Sequence, residues 1–173
     1  RFTQICIIMQ GVLPKMKLGL FMMPMHDPSR NYLAVLRQDQ EAAILADSLD
    51  FSEVWCGEHL TSTAEPISSS LTFFASLINL TKNITFASGV INLPQQHPAQ
   101  VASHVAMFDQ LCEGRYIMGI GPGGLISDFE MLGLTEPKAR PEMMLESINT
   151  ILTLWNGGPG YKIDSKFWPI HTH

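Results

Sequence analysis

Phe51-Ser52-Glu53-Val54-Trp55-Cys56-Gly57-Glu58-His59 starts as a strand and finishes as a candidate site. A short β-rich run ends in an adjacent carboxylate and imidazole, and the polar loop Thr61-Ser62-Thr63 follows. In parallel βα architectures chemistry collects at the C-terminal ends of the strands, where loops present side chains to a ligand. Histidine titrates near neutrality, which makes His59 a candidate for proton transfer. Taken alone, such a pair is more often a helix-start carboxylate beside a hydrogen-bonded loop histidine.

Outward from this stretch the same unit repeats. Lys17–Met22, Phe51–Cys56, Ile84–Val90 and Arg115–Ile120 read as strands. They lack strict polar alternation, as expected of strands covered on both faces. Helical spacing lies between and after them: Leu33 to Ile44, Ser70 to Leu80, Val101 to Cys112, and Met144 to Trp155. Gly157-Gly158-Pro159-Gly160 then stops the last helix. Centres at Leu18, Val54, Phe86 and Ile117 are 36, 32 and 31 residues apart, a βα unit taken four times. Two architectures use such units, the (β/α)8 barrel and the open doubly wound sheet. A barrel takes about 250 residues, so four units make the N-terminal half of one. The tail favours the half-barrel: Tyr161 to Trp168 reads as a hairpin turning at Asp164-Ser165, with no capping element after it.

With 46% hydrophobic and 16% charged residues the chain has the mass for a core. A net charge of −5 without any Lys/Arg run argues against nucleic acid. Cys6, Cys56 and Cys112 are far apart, which supports neither a disulfide framework nor a zinc knuckle and suits a reducing cytoplasm. No apolar run approaches the ~18 residues of a membrane span. Residues 1–15 fit the rest poorly and read as leader or read-through sequence, because Met16-Lys17-Leu18-Gly19 opens directly into a strand.

Other strand ends carry signals of their own. Gly89 interrupts the third strand, a mark of a bulge or of backbone approaching a ligand. The fourth ends in Gly119-Ile120-Gly121-Pro122-Gly123-Gly124 ahead of Ser127 and Asp128 at a helix start, and glycines there admit phosphate or a flat ring. As a dinucleotide fingerprint it fails on glycine spacing and on its place in the fold, and no P-loop is present. Met22, Met23 and Met25 at the first strand end are core filling or the lining of a malleable apolar pocket. No His/Asp/Glu set has metal-ligand spacing, and G-x-S-x-G is absent.

In order and spacing these strand ends resemble the bacterial luciferase-like flavin-dependent monooxygenases. The matching residues are Met16-Lys17-Leu18-Gly19, Trp55 with Glu58-His59, Leu93-Pro94 with His97-Pro98, and Phe108-Asp109-Gln110-Leu111 before Gly114-Arg115. The most specific block runs from Gly121-Pro122-Gly123-Gly124 through Ser127-Asp128-Phe129-Glu130-Met131-Leu132-Gly133 to Arg140 and Glu146. The resemblance implies a (β/α)8 barrel with flavin at its C-terminal mouth. It implies oxidation of a small apolar compound, alkanal- or terpene-like, by oxygen and reduced FMN from a separate reductase, in a homo-oligomer or heterodimer. It makes His59 the catalytic histidine, rather than His26 or His97. Glu58, Gly121, Gly123 and Arg140 fall in the flavin site, and Gly89-Val90 falls where the family has a cis peptide under the ring. Luciferase itself has a cysteine-arginine pair at Gly121-Pro122, so light emission is not implied here. A deazaflavin-dependent oxidoreductase of the same superfamily and a non-catalytic flavin-binding relative are the alternatives. As half a barrel, the chain is expected to be inactive alone, with open edges at Lys17–Met22 and Arg115–Ile120 and an uncovered inner face that includes Leu18, Leu20, Val54 and Ile117.

Overall fold

The computed structural model describes residues 16–134, 136–158 and 160–172, so the expectations for residues 1–15 and Pro159 lie outside it. In chain order the elements are β1 (Gly19–Met22), α1 (Tyr32–Ser48), β2 (Glu53–Cys56), α2 (Ser70–Ala75), β3 (Thr85–Ser88), β4 (Ile91–Asn92), α3 (Pro98–Leu111), β5 (Tyr116–Ile117), β6 (Ile120–Gly121), α4 (Ile126–Met131), α5 (Arg140–Asn156), β7 (Lys162–Ile163) and β8 (Ile170–His171). The main sheet is parallel and ordered β1-β2-β3-β5, each strand beside its sequence neighbour, with helices in between. That is the winding of the first half of a (β/α)8 barrel.

Register decides what each face does. Leu20, Val54, Phe86 and Tyr116 pair across the four strands and turn toward the helices. There Phe74, Phe86, Phe108 and Tyr116 pack ring to ring at centroid distances of 5.1, 6.0 and 5.0 Å. Burying aromatic rings of this size is worth several kcal/mol in total, about 1.5–3 per fully buried side chain. Phe21, Trp55, Ala87 and Ile117 form the next registered row and point the other way. Phe21 is 60% exposed on that inner face, where Trp55 donates to the Glu53 carboxylate at 2.9 Å. The expected inner set is therefore corrected: Leu20 and Val54 lie in the helix-side core, because side chains alternate along a strand.

Several boundaries differ from the sequence reading. The third and fourth strands each break in two, giving a second parallel pair, β4 with β6. At the fork the buried Ser88 hydroxyl donates to the Gly119 carbonyl at 2.9 Å and accepts from the Gly119 amide at 2.9 Å and the Tyr116 hydroxyl at 3.0 Å. The second helix ends at Ala75 and tightens into a 3-10 turn at Ile78–Leu80, since the Ser76 amide and hydroxyl both bond the Phe73 carbonyl. The last helix starts at Arg140 and stops at Gly157, whose φ of +77° suits glycine. The hairpin returns later than expected, with Lys162 opposite His171, so Trp168 lies in its connection.

Candidate functional site

The C-terminal ends of β1, β2, β4 and β6 surround a cavity of about 290 Å³, lined by Met23, Gly57, Glu58, His59, Gly89, Val90, Asn92, Pro122, Gly123 and Gly124. The Gly89-Val90 peptide in its wall is cis. Glycine is required at two places around this mouth. A β-carbon on Gly121 would come within 2.6 Å of Val90 Cγ2, and one on Gly123, at φ +79°, within 2.7 Å of the Phe129 ring.

His59 sits in the cavity wall with its side chain 20% exposed. Its Nδ1 lies 3.3 Å from Oδ2 of Asp128, which is fully buried. The other Asp128 oxygen accepts from the Leu60 amide at 3.2 Å, the Thr61 amide at 2.8 Å and the Thr61 hydroxyl at 2.6 Å. Burial alone raises the Asp128 carboxyl, but the Thr61, His59 and Leu60 donors outweigh it and hold the acid below the usual carboxylate range. A carboxylate facing Nδ1 assigns the proton to that nitrogen and leaves the Nε2 lone pair free. The nearest acid to Nε2 is Glu65 at 3.8 Å, beyond hydrogen-bond distance.

Asp128 joins this cluster although the sequence reading gave it no role. It was legible as a helix-start acid, yet it caps nothing in α4 and reaches the β2 loop 69 residues away.

Glu58, an expected cofactor contact, lines the cavity, but its carboxylate is committed to neighbouring groups. Oε2 accepts from the Ser70 amide and hydroxyl, both at 2.9 Å, and Oε1 from Gln96 at 3.1 Å. Burial still pushes its pKa up against those bonds. Of the other expected cofactor contacts, Gly89, Val90 and Gly123 line the cavity, whereas Gly121 backs Val90 from behind. Arg140 is not in the wall either: its guanidinium lies 3.6 Å over the Phe129 ring. Among the methionines at the first strand end, Met23 lines the cavity, Met22 is core and Met25 is exposed. His26 is bound to Asp39 and Arg30, and His97 caps α3 by accepting from the Ala99 amide.

The fit to a flavin can be judged from these residues. A glycine-rich wall with Met23 and Val90 admits a flat ring at close range. No cation lines the cavity, so a phosphate would need residues from outside it. Among the described residues no helix is long and apolar enough to cross a membrane.

A parallel half-barrel with a histidine-carboxylate pair at its C-terminal mouth defines a β/α-barrel enzyme architecture. The family model described as luciferase-like monooxygenase matches residues 16–173, and the chain belongs to that family. It is 36% identical over 125 residues to limonene 1,2-monooxygenase of Rhodococcus erythropolis, an alignment covering 72% of this chain and 32% of that protein. To 4-hydroxyprotoasukamycin monooxygenase of Streptomyces nodosus subsp. asukaensis it is 32% identical, over 82% of this chain and 38% of the relative. A solved structure, the oxygenating constituent of 3,6-diketocamphane monooxygenase from Pseudomonas putida in complex with FMN, superposes with a TM-score of 0.83 at 28% identity. That superposition covers 90% of this chain and 43% of the other. The chain thus spans well under half the length of these relatives.

Proposed function

We propose that the protein carrying this chain is a flavin-dependent monooxygenase that uses reduced FMN, delivered by a separate reductase, to oxidise a small apolar compound of terpene-like character. The observation that carries the reading is His59 in the mouth wall, its Nδ1 held by buried Asp128 and its Nε2 without a hydrogen-bond partner among the described residues. Flavin, when bound, supplies the two electrons and the oxygen activation. The likeness to a terpene monooxygenase and to an FMN complex supports both the substrate class and the cofactor.

The chain's own residues would then act as follows. Gly89, Val90 and Met23 give the ring an apolar bed, and Gly123 lets the backbone approach it. His59 Nε2 accepts or returns a proton at the mouth, while Asp128 stabilises the imidazolium so formed. Barrel closure over the exposed Phe21 and Ile117 completes the site, and oligomerisation belongs to the same proposal.

An oxygen-uptake assay with reduced FMN and a monoterpene, run beside hydride transfer from reduced deazaflavin, tests the proposal. Substrate-dependent oxygen uptake with FMN is the expected result. Turnover with deazaflavin alone would replace it with the oxidoreductase reading.

A further inference from the structure

Three polar side chains line the mouth cavity: Glu58, His59 and Asn92. Glu58 has spent both oxygens on Ser70 and Gln96, and His59 has spent Nδ1 on Asp128. Asn92 has spent very little. It is 94% buried, being only 6% exposed, and the one hydrogen bond its side chain makes among the described residues is a long one, from Nδ2 to the Glu58 carbonyl at 3.5 Å. The carbonyl partner fixes which end of the carboxamide is nitrogen, leaving one N–H and the whole of Oδ1 uncommitted. A concave site with a few convergent polar groups is where such an uncommitted amide meets a ligand.

Asn92 is also firmly placed. It ends β4, pairs with Gly121 of β6, and follows the cis Gly89-Val90 peptide by two residues. It lines a second cavity of about 310 Å³ as well, shared with Glu58, His59, Leu60, Ser68, Gln95 and others, so it stands in the partition between the two.

The geometry points to Asn92 as the residue that reads the polar edge of the ring system bound at the mouth, pairing its Oδ1 and Nδ2 with an adjacent N–H and C=O. The pyrimidine edge of a flavin, where N3–H stands between two carbonyls, has that chemistry. This inference rests on the proposed flavin reading and adds to it a ligand contact that none of the sequence motifs indicated.

Riboflavin and 3-methylriboflavin, titrated into the unaltered protein by flavin fluorescence, separate the possibilities, because methylation removes the N3 donor and neither probe needs a phosphate site. Riboflavin is expected to bind roughly tenfold more tightly, the worth of one buried hydrogen bond. Asn92→Leu should bind both compounds alike. A preference that persists in Asn92→Leu, or equal binding by the unaltered protein, overturns the role of Asn92 while leaving the flavin reading intact. Failure of the unaltered protein to bind either compound overturns both. Asn92→Asp keeps the side-chain shape and sets a carboxylate oxygen against a ring carbonyl, so it should lose at least as much riboflavin affinity as Asn92→Leu. Undiminished binding by that variant also overturns the proposal.

Discussion

Two histidines follow neighbouring parallel strands, His26 after β1 and His59 after β2, and each faces a buried aspartate. Their surroundings part company at the second ring nitrogen. Arg30 can only donate, so its 3.2 Å contact makes His26 Nδ1 an acceptor and puts the proton on Nε2, which faces both Asp39 oxygens at 2.9 and 3.0 Å. Every polar position on that ring is committed. His59 is held at Nδ1 alone, and its Nε2 has only Glu65 at 3.8 Å. An imidazole anchored on one side and open on the other can exchange protons with a ligand, whereas one anchored on both sides ties a loop to a helix. The carboxylate partner is common to both; the unspent nitrogen beside a cavity is what differs.

The strongest way to break this comparison is His59→Ala in the full-length protein. Turnover should fall by roughly 10²–10⁴-fold with flavin binding kept, as for loss of a general acid-base. Near-native turnover by steady-state oxygen uptake would remove the distinction between the two rings. Asp128→Asn comes next. It keeps the shape but weakens the hold on the tautomer, and turnover should drop about 10–100-fold, with KM little changed, as when an orienting partner is lost. His26→Ala should do the reverse. It leaves buried Asp39 without its imidazole, so a urea melt should show a loss of about 1–3 kcal/mol while kcat/KM per folded molecule holds.

The smallest expected effect is in the pH dependence of stability, where the two aspartates move in opposite directions. Burial pushes Asp39 above its ordinary 3.8 despite His26 and Arg30, so ionising it costs the fold stability as pH climbs from there to the raised folded value. Asp128 is shifted below 3.8, so its contribution is present above that pH and is lost as pH falls through the lowered folded value. Urea midpoints across the acid range should therefore lose part of their acid limb in Asp128→Asn and part of their decline above 3.8 in Asp39→Asn. Identical pH profiles for the two variants would contradict the contrast.

Much of the fold was legible because a parallel βα repeat writes itself into local sequence. Apolar strands at regular steps, helical stripes between them and glycine stops are all short-range signals. Site positions at strand ends, His59, Gly89 and Gly123 among them, followed from that scaffold. What stayed hidden depends on separation along the chain. Asp128 stands inside a legible block and Asn92 beside a strand glycine, but their contacts to the β2 loop bridge sequence separations of 69 and 34 and exist only in the folded chain. The strand breaks were hidden for a related reason. Ile84–Val90 and Arg115–Ile120 are mostly apolar runs, and the fork is made by one serine hydroxyl among them bonding a glycine backbone across the sheet.

That fork has a consequence for how the sequence can drift. Ser88 is fully buried, and its single oxygen serves three partners at once: the Gly119 amide, the Gly119 carbonyl and the Tyr116 hydroxyl. Gly119 in turn has no room for a β-carbon, because the Ser88 carbonyl occupies that space. The Ser88 backbone thus bars a side chain at Gly119, and loss of the Ser88 hydroxyl leaves the Gly119 backbone and the Tyr116 hydroxyl without that shared partner. The loops above the mouth can exchange residues and so acquire new ligands. The two positions beneath them form a lock through which such diversification does not pass.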